Sequence, residues 1–220
     1  MTTPSPSVGR PRSERSRRAV LDAAAKLLSK RGYADITIEG IAAEAGVGKT
    51  TIYRWWSTKA SIYMDLYAEL AAKITPPADT GDFAVDLTLL AQGAFKLYRE
   101  TAAGVALSGI VAEAQSNAEV SKIVRNEFAP SRRHVVLAIL ERAASRGEIS
   151  PEVDLQLVSE IVAGAVWYNQ LVGTGDLTDS HASRIVDRIV RGISAAKINT
   201  HADRHVKSDL TIRRKQTAIR

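Results

Sequence analysis

Apolar residues recur along this chain at helical spacing almost from end to end, and nowhere with the strict two-residue alternation of a half-buried strand. From about residues 13–16 to residue 30, Ala19, Val20, Ala23, Ala24, Leu27 and Leu28 make one stripe, and Gly32 supplies the left-handed stop. Thr37 is placed to cap a second, short helix carrying Ile38, Ile41, Ala42 and Ala45; Gly46 ends it and the chain restarts almost at once at Gly48. A third helix is expected over residues 49–56, and Ser57 is expected to cap a fourth through Ile62, Leu66 and Leu70 to about residue 73. Pro76 and Pro77 close this block, and the polar stretch 75–82 reads as a boundary. The remainder to residue 197 is helical in period, with breaks expected near 103–104, 116–117, 147–151 and 173–179. The fold class is all-α: an N-terminal unit over 13–73 and a larger helical unit over 80–197. A flexible basic arm over 1–12 precedes them, and a basic, disordered tail over 198–220 follows.

Composition narrows the function. With 220 residues, 45% of them apolar, the chain can bury one ordinary core or two small ones. It has no cysteine, which removes disulfides, thiolate metal sites and cysteine nucleophiles and fits a reducing compartment. The first twenty residues lack the apolar core of a signal peptide, and no run of about 18 apolar residues exists. A cytoplasmic protein with no membrane partner is expected. The net charge of +6 is unevenly placed: residues 1–60 hold eleven Lys/Arg against five Asp/Glu, residues 61–196 twelve against seventeen, and residues 197–220 seven against two. A polyanion would meet the two ends and be repelled by the middle, unless these charges are simply a solvated surface.

The stretch 36–55 decides between those readings. A helix-turn-helix needs two short helices at a steep angle, a turn too tight for a bulky residue, and a second helix offering hydrogen-bond donors outward. Ile38, Ile41, Ala42, Val47 and Ile52 can form its core, Gly46 sits in the turn, and Lys49, Thr50, Thr51, Tyr53 and Arg54 are left for outside work. Tyr53, Trp55, Trp56, Tyr63 and Tyr67 crowd five aromatics into fifteen residues; Trp56 and Tyr63 are expected in the core, and Tyr53 is the aromatic expected on DNA.

The run GYADITIEGIAAEAGVGKTTIYRWWSTKASIYMDLY, residues 32–67, carries a resemblance. Its glycine-aromatic start, Thr-capped helix with Ile-Ala-Ala, Ala-Gly-Val turn, Tyr-x-x-aromatic exit and following Lys make residues 13–73 similar to the DNA-binding domain of TetR-type regulators. Gly48 stands where that family often has Ser, and Trp56 where Phe is more usual; Gly caps within a few tenths of a kcal/mol of Ser. The resemblance implies that Thr50, Thr51, Tyr53 and Trp55 lie at or near the groove, with Thr37 beside them. It also implies that Tyr53 gives its hydroxyl to a phosphate and that Lys59 meets the backbone. Lys49 and Arg54 are left open between base edges and phosphates. Arg15 and Arg17, with Arg10, Arg12 and Arg18, are placed to follow an adjacent groove or the backbone.

Further along, residues 155–172 are apolar nearly all round, and Ala182, Ile185, Val186, Ile189, Val190 and Ile193 make a second stripe. The resemblance implies that these two helices pair with their two-fold mates as a four-helix bundle through Val158, Val162, Ala165, Val166, Ile185, Ile189 and Ile193; an internal core pair is the alternative. Residues 83–146 would then hold a ligand, with Tyr98, Glu113, Gln115, Asn169 and Gln170 as polar groups but no assigned pocket residue. Residues 43–50, AEAGVGKT, mimic a phosphate loop but follow a helical segment rather than a strand. His201 and His205 have metal-pair spacing without a third ligand nearby, and no nucleophile elbow exists. No enzyme, metal or cofactor is expected. The expected protein is a homodimeric repressor of a pseudo-palindromic double-stranded operator, released by an unidentified small-molecule effector. The alternative is a helical ligand-binding or scaffolding protein that reads no DNA sequence.

Overall fold

The structure, a computed structural model, describes residues 10–76, 78–173 and 176–194, with residues 10–13 as backbone only. The tail expected over 198–220, with His201 and His205, lies outside them, as do the first nine residues of the expected arm. The described residues form α1 (Arg10–Arg31), α2 (Ile38–Ala45), α3 (Lys49–Tyr53), α4 (Lys59–Ile74), α5 (Phe83–Glu100), α6 (Ala103–Ala114), α7 (Ala118–Ile123), α8 (Ala129–Ser145), α9 (Leu155–Val172) and α10 (Asp179–Ile193). Among them there is no strand, and only one isolated bridge, between Ile149 and Ser194. The helix α1 begins earlier than the apolar stripe announces, so the last residues of the expected arm are its first turn.

Local chemistry fixes the first four helices. The Thr37 hydroxyl oxygen accepts from the Gly40 N–H at 3.1 Å and caps α2. At the other end Gly46 adopts φ 65°, with Val47 N–H reaching Ala42 O at 3.0 Å and Gly46 N–H reaching Ala43 O at 3.3 Å. This paired closure needs a residue that tolerates a left-handed backbone, hence glycine. It brings Val47 back onto the core and lets α3 start two residues later. The cap of α4 is Thr58, whose oxygen accepts from Ser61 N–H at 3.1 Å, and not Ser57, which the chain turns to solvent. Leu21, Ala24, Leu28, Ile41, Ile52, Trp56, Ile62 and Tyr63 close a core among α1–α4.

The larger unit is not set apart from this block. One face of α4 packs on α1 and another on α5 and α6, so the boundary near residue 75 cuts behind a shared helix. The start of α5 is tied down by Asp86, fully buried, whose carboxylate accepts from Thr80 N–H and Oγ–H at 2.9 and 2.8 Å. Between α7 and α8 the helix does not stop but widens into a π-turn over Val124–Phe128, where Ala129 N–H reaches Val124 O. Pro130 explains it: a ring without an N–H cannot sit in a regular turn, and one extra residue absorbs the clash. The turn aims Phe128 inward, edge-on to Tyr67 and stacked near Trp167. No described helix is long and apolar enough to cross a membrane.

Candidate nucleic-acid interface and ligand cavity

The buried side of α3 is made by Ile52, with Trp56 in the turn that follows; Trp56 is only 3% exposed and its indole N–H donates to Asp65 Oδ2 at 3.0 Å. With that side locked, the opposite one must face outward. Lys49, Thr50, Tyr53 (52% exposed), Arg54 and Trp55 lie on it, with Thr51 half-buried beside them and the exposed Thr37 at the start of α2. The result is a short helical ridge of cations, hydroxyls and aromatic edges, and a major groove admits an α-helix. Arg15 and Arg54 are exposed, with no carboxylate within ion-pair distance among the described residues.

Two expected backbone contacts are instead spent inside the protein. The Arg17 guanidinium bridges Asp65 at 3.0 Å and Glu69 at 2.9 Å, and Arg18 joins Glu69 and Asp22, sewing α1 to α4. Lys59 turns inward: its ammonium donates to Tyr33 O at 3.0 Å, lies 4.2 Å from the Tyr33 ring centroid, and stands 4.0 Å from Glu113. Burial holds its pKa below the ordinary lysine value, with the Glu113 and Asp35 charges opposing that. Arg17 and Lys59 therefore position the head rather than reach out from it.

Sequence reading did not single out Glu39. Its carboxylate pairs with Lys49 at 2.8 Å across the α2–α3 turn, lowering its own pKa and raising that of Lys49, in each case chiefly through the hydrogen bond between them. A carboxylate at the ridge repels phosphates and occupies the one cation at the start of α3. Glu39→Gln is expected to raise DNA affinity several-fold in low salt. It should also steepen the slope of log affinity against log salt by about one, as Lys49 becomes free to displace a counterion. A salt titration by fluorescence anisotropy checks it, and an unchanged slope would place Lys49 off the phosphates.

A second feature lies where α4, α5, α8 and α9 meet: a cavity of about 250 Å³, walled by alanines and valines and by Tyr67, Tyr98, Trp167 and Arg132. Of the polar groups that might orient a ligand, only Tyr98 reaches it. Asn169 is held between Ala165 O and His181, Gln170 donates to Gly104 O and Ser108 Oγ, Glu113 accepts from Tyr33, and Gln115 is exposed.

The helix α9 is apolar on two faces, and the structure assigns them differently from the expected interface. Val158, Val162 and Val166 are buried within the protomer, the last two lining the cavity, and Ile193 is buried at the end of α10. At 3–8% exposure they leave little area for a partner. Ala165, Ile185 and Ile189 are half-buried, and the exposed stripe runs one residue out of phase, through Leu157, Ile161, Tyr168 and Val172.

Comparison with known proteins bears on both features. Residues 20–66 match the family described as bacterial regulatory proteins, tetR family, and residues 77–189 match the tetracyclin repressor-like C-terminal domain. The chain is 31% identical to the DNA-binding transcriptional repressor TetR of Mycobacteroides abscessus, covering 81% of this chain and 94% of that one. It is 29% identical to the HTH-type transcriptional regulator YdeS of Bacillus subtilis over 85% of this chain and 94% of that one. Among solved structures, the TetR family transcription regulator SCO0332 superposes with a TM-score of 0.69 at 29% identity, covering 80% of this chain and 97% of that one.

Proposed function

The chain belongs to the TetR family and is a DNA-binding transcriptional regulator; from that premise we propose that it represses as a two-fold dimer on a pseudo-palindromic operator and lets go when a small molecule fills the cavity. The α3 ridge carries the DNA half of the reading, with Ile52 and Trp56 locked beneath it and Lys49, Thr50, Thr51, Tyr53, Arg54 and Trp55 turned outward. Tyr53 and Thr37 meet phosphates, Thr50 and Arg54 face base edges, and Arg15 follows the backbone outside the groove. The two heads sit about one helical turn or a multiple of it apart, set by a bundle of α9 and α10 with their two-fold mates.

The lever between the two sites is α4. Near its start, Lys59 and Asp65 hold the head through Tyr33, Arg17 and Trp56. Near its end, Tyr67, Ala71 and Thr75 wall the cavity. A ligand that wedges the cavity open moves that end and re-spaces the two heads. Release follows only if the ligand binds the re-spaced form more tightly than the DNA-bound form.

Selection of bound fragments from random duplex DNA tests the reading. A two-fold symmetric site is expected, weakened on the order of tenfold or more in a Tyr53→Phe, Arg54→Ala variant, since one phosphate contact and one base contact are lost. Binding without an enriched sequence would overturn it.

A further inference from the structure

The cavity holds one formal charge. Among the residues that line it, Arg132 is the only ionisable group besides the two tyrosines, and no carboxylate is present. The other arginines along α8 and at its cap are paired: Arg133 with Glu160, Arg142 with Asp79, and Arg146 with Glu148. Arg132 is not, having no acidic partner within 4.0 Å among the described residues. Its Nε–H donates to Ser131 Oγ at 3.3 Å and its guanidinium carbon lies 5.5 Å from the Tyr67 ring centroid. Four guanidinium N–H groups are left over.

A second donor stands beside it. The Tyr67 and Tyr98 hydroxyls are 3.0 Å apart and buried, sharing one hydrogen bond between two protons, so one proton has no acceptor on the described protein. Burial raises both phenol pKa values, so both remain donors at physiological pH. Thr75, the other hydroxyl on the wall, is already spent on Ala71 O at 2.8 Å. The Trp167 indole N–H is spent on the Tyr98 hydroxyl, and the rest is hydrocarbon: Ala68, Ala71, Ala72, Ala91, Ala94 and Ala163 leave the space that larger side chains would fill.

We propose that the effector is a small organic acid, a carboxylate-type monoanion on a compact apolar body, with its carboxylate shared between Arg132 and the Tyr67–Tyr98 hydroxyl pair. The inference rests on the reading that an effector acts from this cavity. Arg132 is half-buried at the cavity wall; a neutral ligand would take water from it without neutralising it, and a cation would be repelled by it, so each leaves the newly covered charge uncompensated. At about 250 Å³ the space falls just below the usual range for small-molecule pockets, so the body is small, on the order of a dozen non-hydrogen atoms.

Calorimetric titration of the full-length protein, without DNA, with 4-phenylbutyrate, 4-phenylbutan-1-ol and 4-phenylbutylamine tests it. The acid is expected to bind about thirtyfold more tightly than either analogue, the margin of a desolvated charge-assisted pair. Arg132→Gln is expected to bring the acid down to the alcohol's affinity and leave the alcohol unchanged, with the thermal melt confirming the fold. Equal binding of all three, no binding of the acid at 10 mM, or an acid preference that survives Arg132→Gln would each overturn the proposal. Operator release is measured separately. An acid that binds through Arg132 without changing DNA affinity upholds the ligand class and sinks the regulatory reading. Release by the alcohol or amine alone does the reverse.

Discussion

Replacing Ile161 by glutamate is expected to give a folded monomer that no longer selects a two-fold site, whereas the same change one residue later, at Val162, is expected to unfold the protein. Ile161 is 49% exposed and Val162 3% exposed, so a carboxylate at the first meets water in the protomer, and at the second a hydrocarbon wall. In a two-fold bundle of α9 and α10 each dimer would bury two Ile161 side chains, and two uncompensated carboxylates there cost several kcal/mol. A lone head retains only the weak, salt-sensitive affinity common to basic proteins, so loss of the dimer should cost about a hundredfold or more in operator binding. Sedimentation velocity, a thermal melt and anisotropy on the selected site separate the outcomes. A dimeric Ile161→Glu protein would move the interface off this stripe.

That pair of neighbours also shows where the sequence was silent. Hydrophobic periodicity locates a helix face only when the opposite face is polar, and α9 is apolar on both. Position along the helix could not tell the wall of the cavity from the face toward a partner. The head was more legible because its signals are local: Thr37 caps a helix three residues ahead, Gly46 marks a left-handed turn, and Trp56 falls one helical turn after the buried Ile52. Arg17 misled because a guanidinium looks the same whether it awaits a phosphate or holds Asp65 and Glu69, 48 and 52 residues away. Ser57 and Thr58 offered adjacent hydroxyls, and only the backbone decides which one caps. The cavity was hidden for the opposite reason: nothing local in the sequence sets its alanines apart from other core alanines, or Arg132 apart from the other arginines of α8.

Gly109→Ala is expected to break the joint between head and body. A Cβ at Gly109 would stand 2.1 Å from Cγ of Tyr33, so the ring, now packed against α6, would have to leave. It is not free to do so. Tyr33 is buried, its hydroxyl donates to Glu113 Oε2 at 2.6 Å, its ring lies against Tyr63, and Lys59 sits over its face. Burial and the adjacent carboxylate both raise its phenol pKa, so the donor proton stays in place. Overpacking a site this constrained costs about 1–3 kcal/mol or more, which urea unfolding reads directly. Tyr33→Phe alone is milder, about 1–2 kcal/mol, because Asn117 still donates to Glu113 at 3.3 Å. The two changes meet in a double-mutant cycle: Tyr33→Leu, costly alone, should cost markedly less beside Gly109→Ala, since the smaller side chain makes room for the methyl group. Tyr33 comes just before Ile36 and Thr37, where the helix-turn-helix begins, so α6 holds the head by its first residues while α4 holds it by its last. If the two changes prove additive, Tyr33 and α6 are not coupled, and the head would then be steered from the cavity through α4 alone.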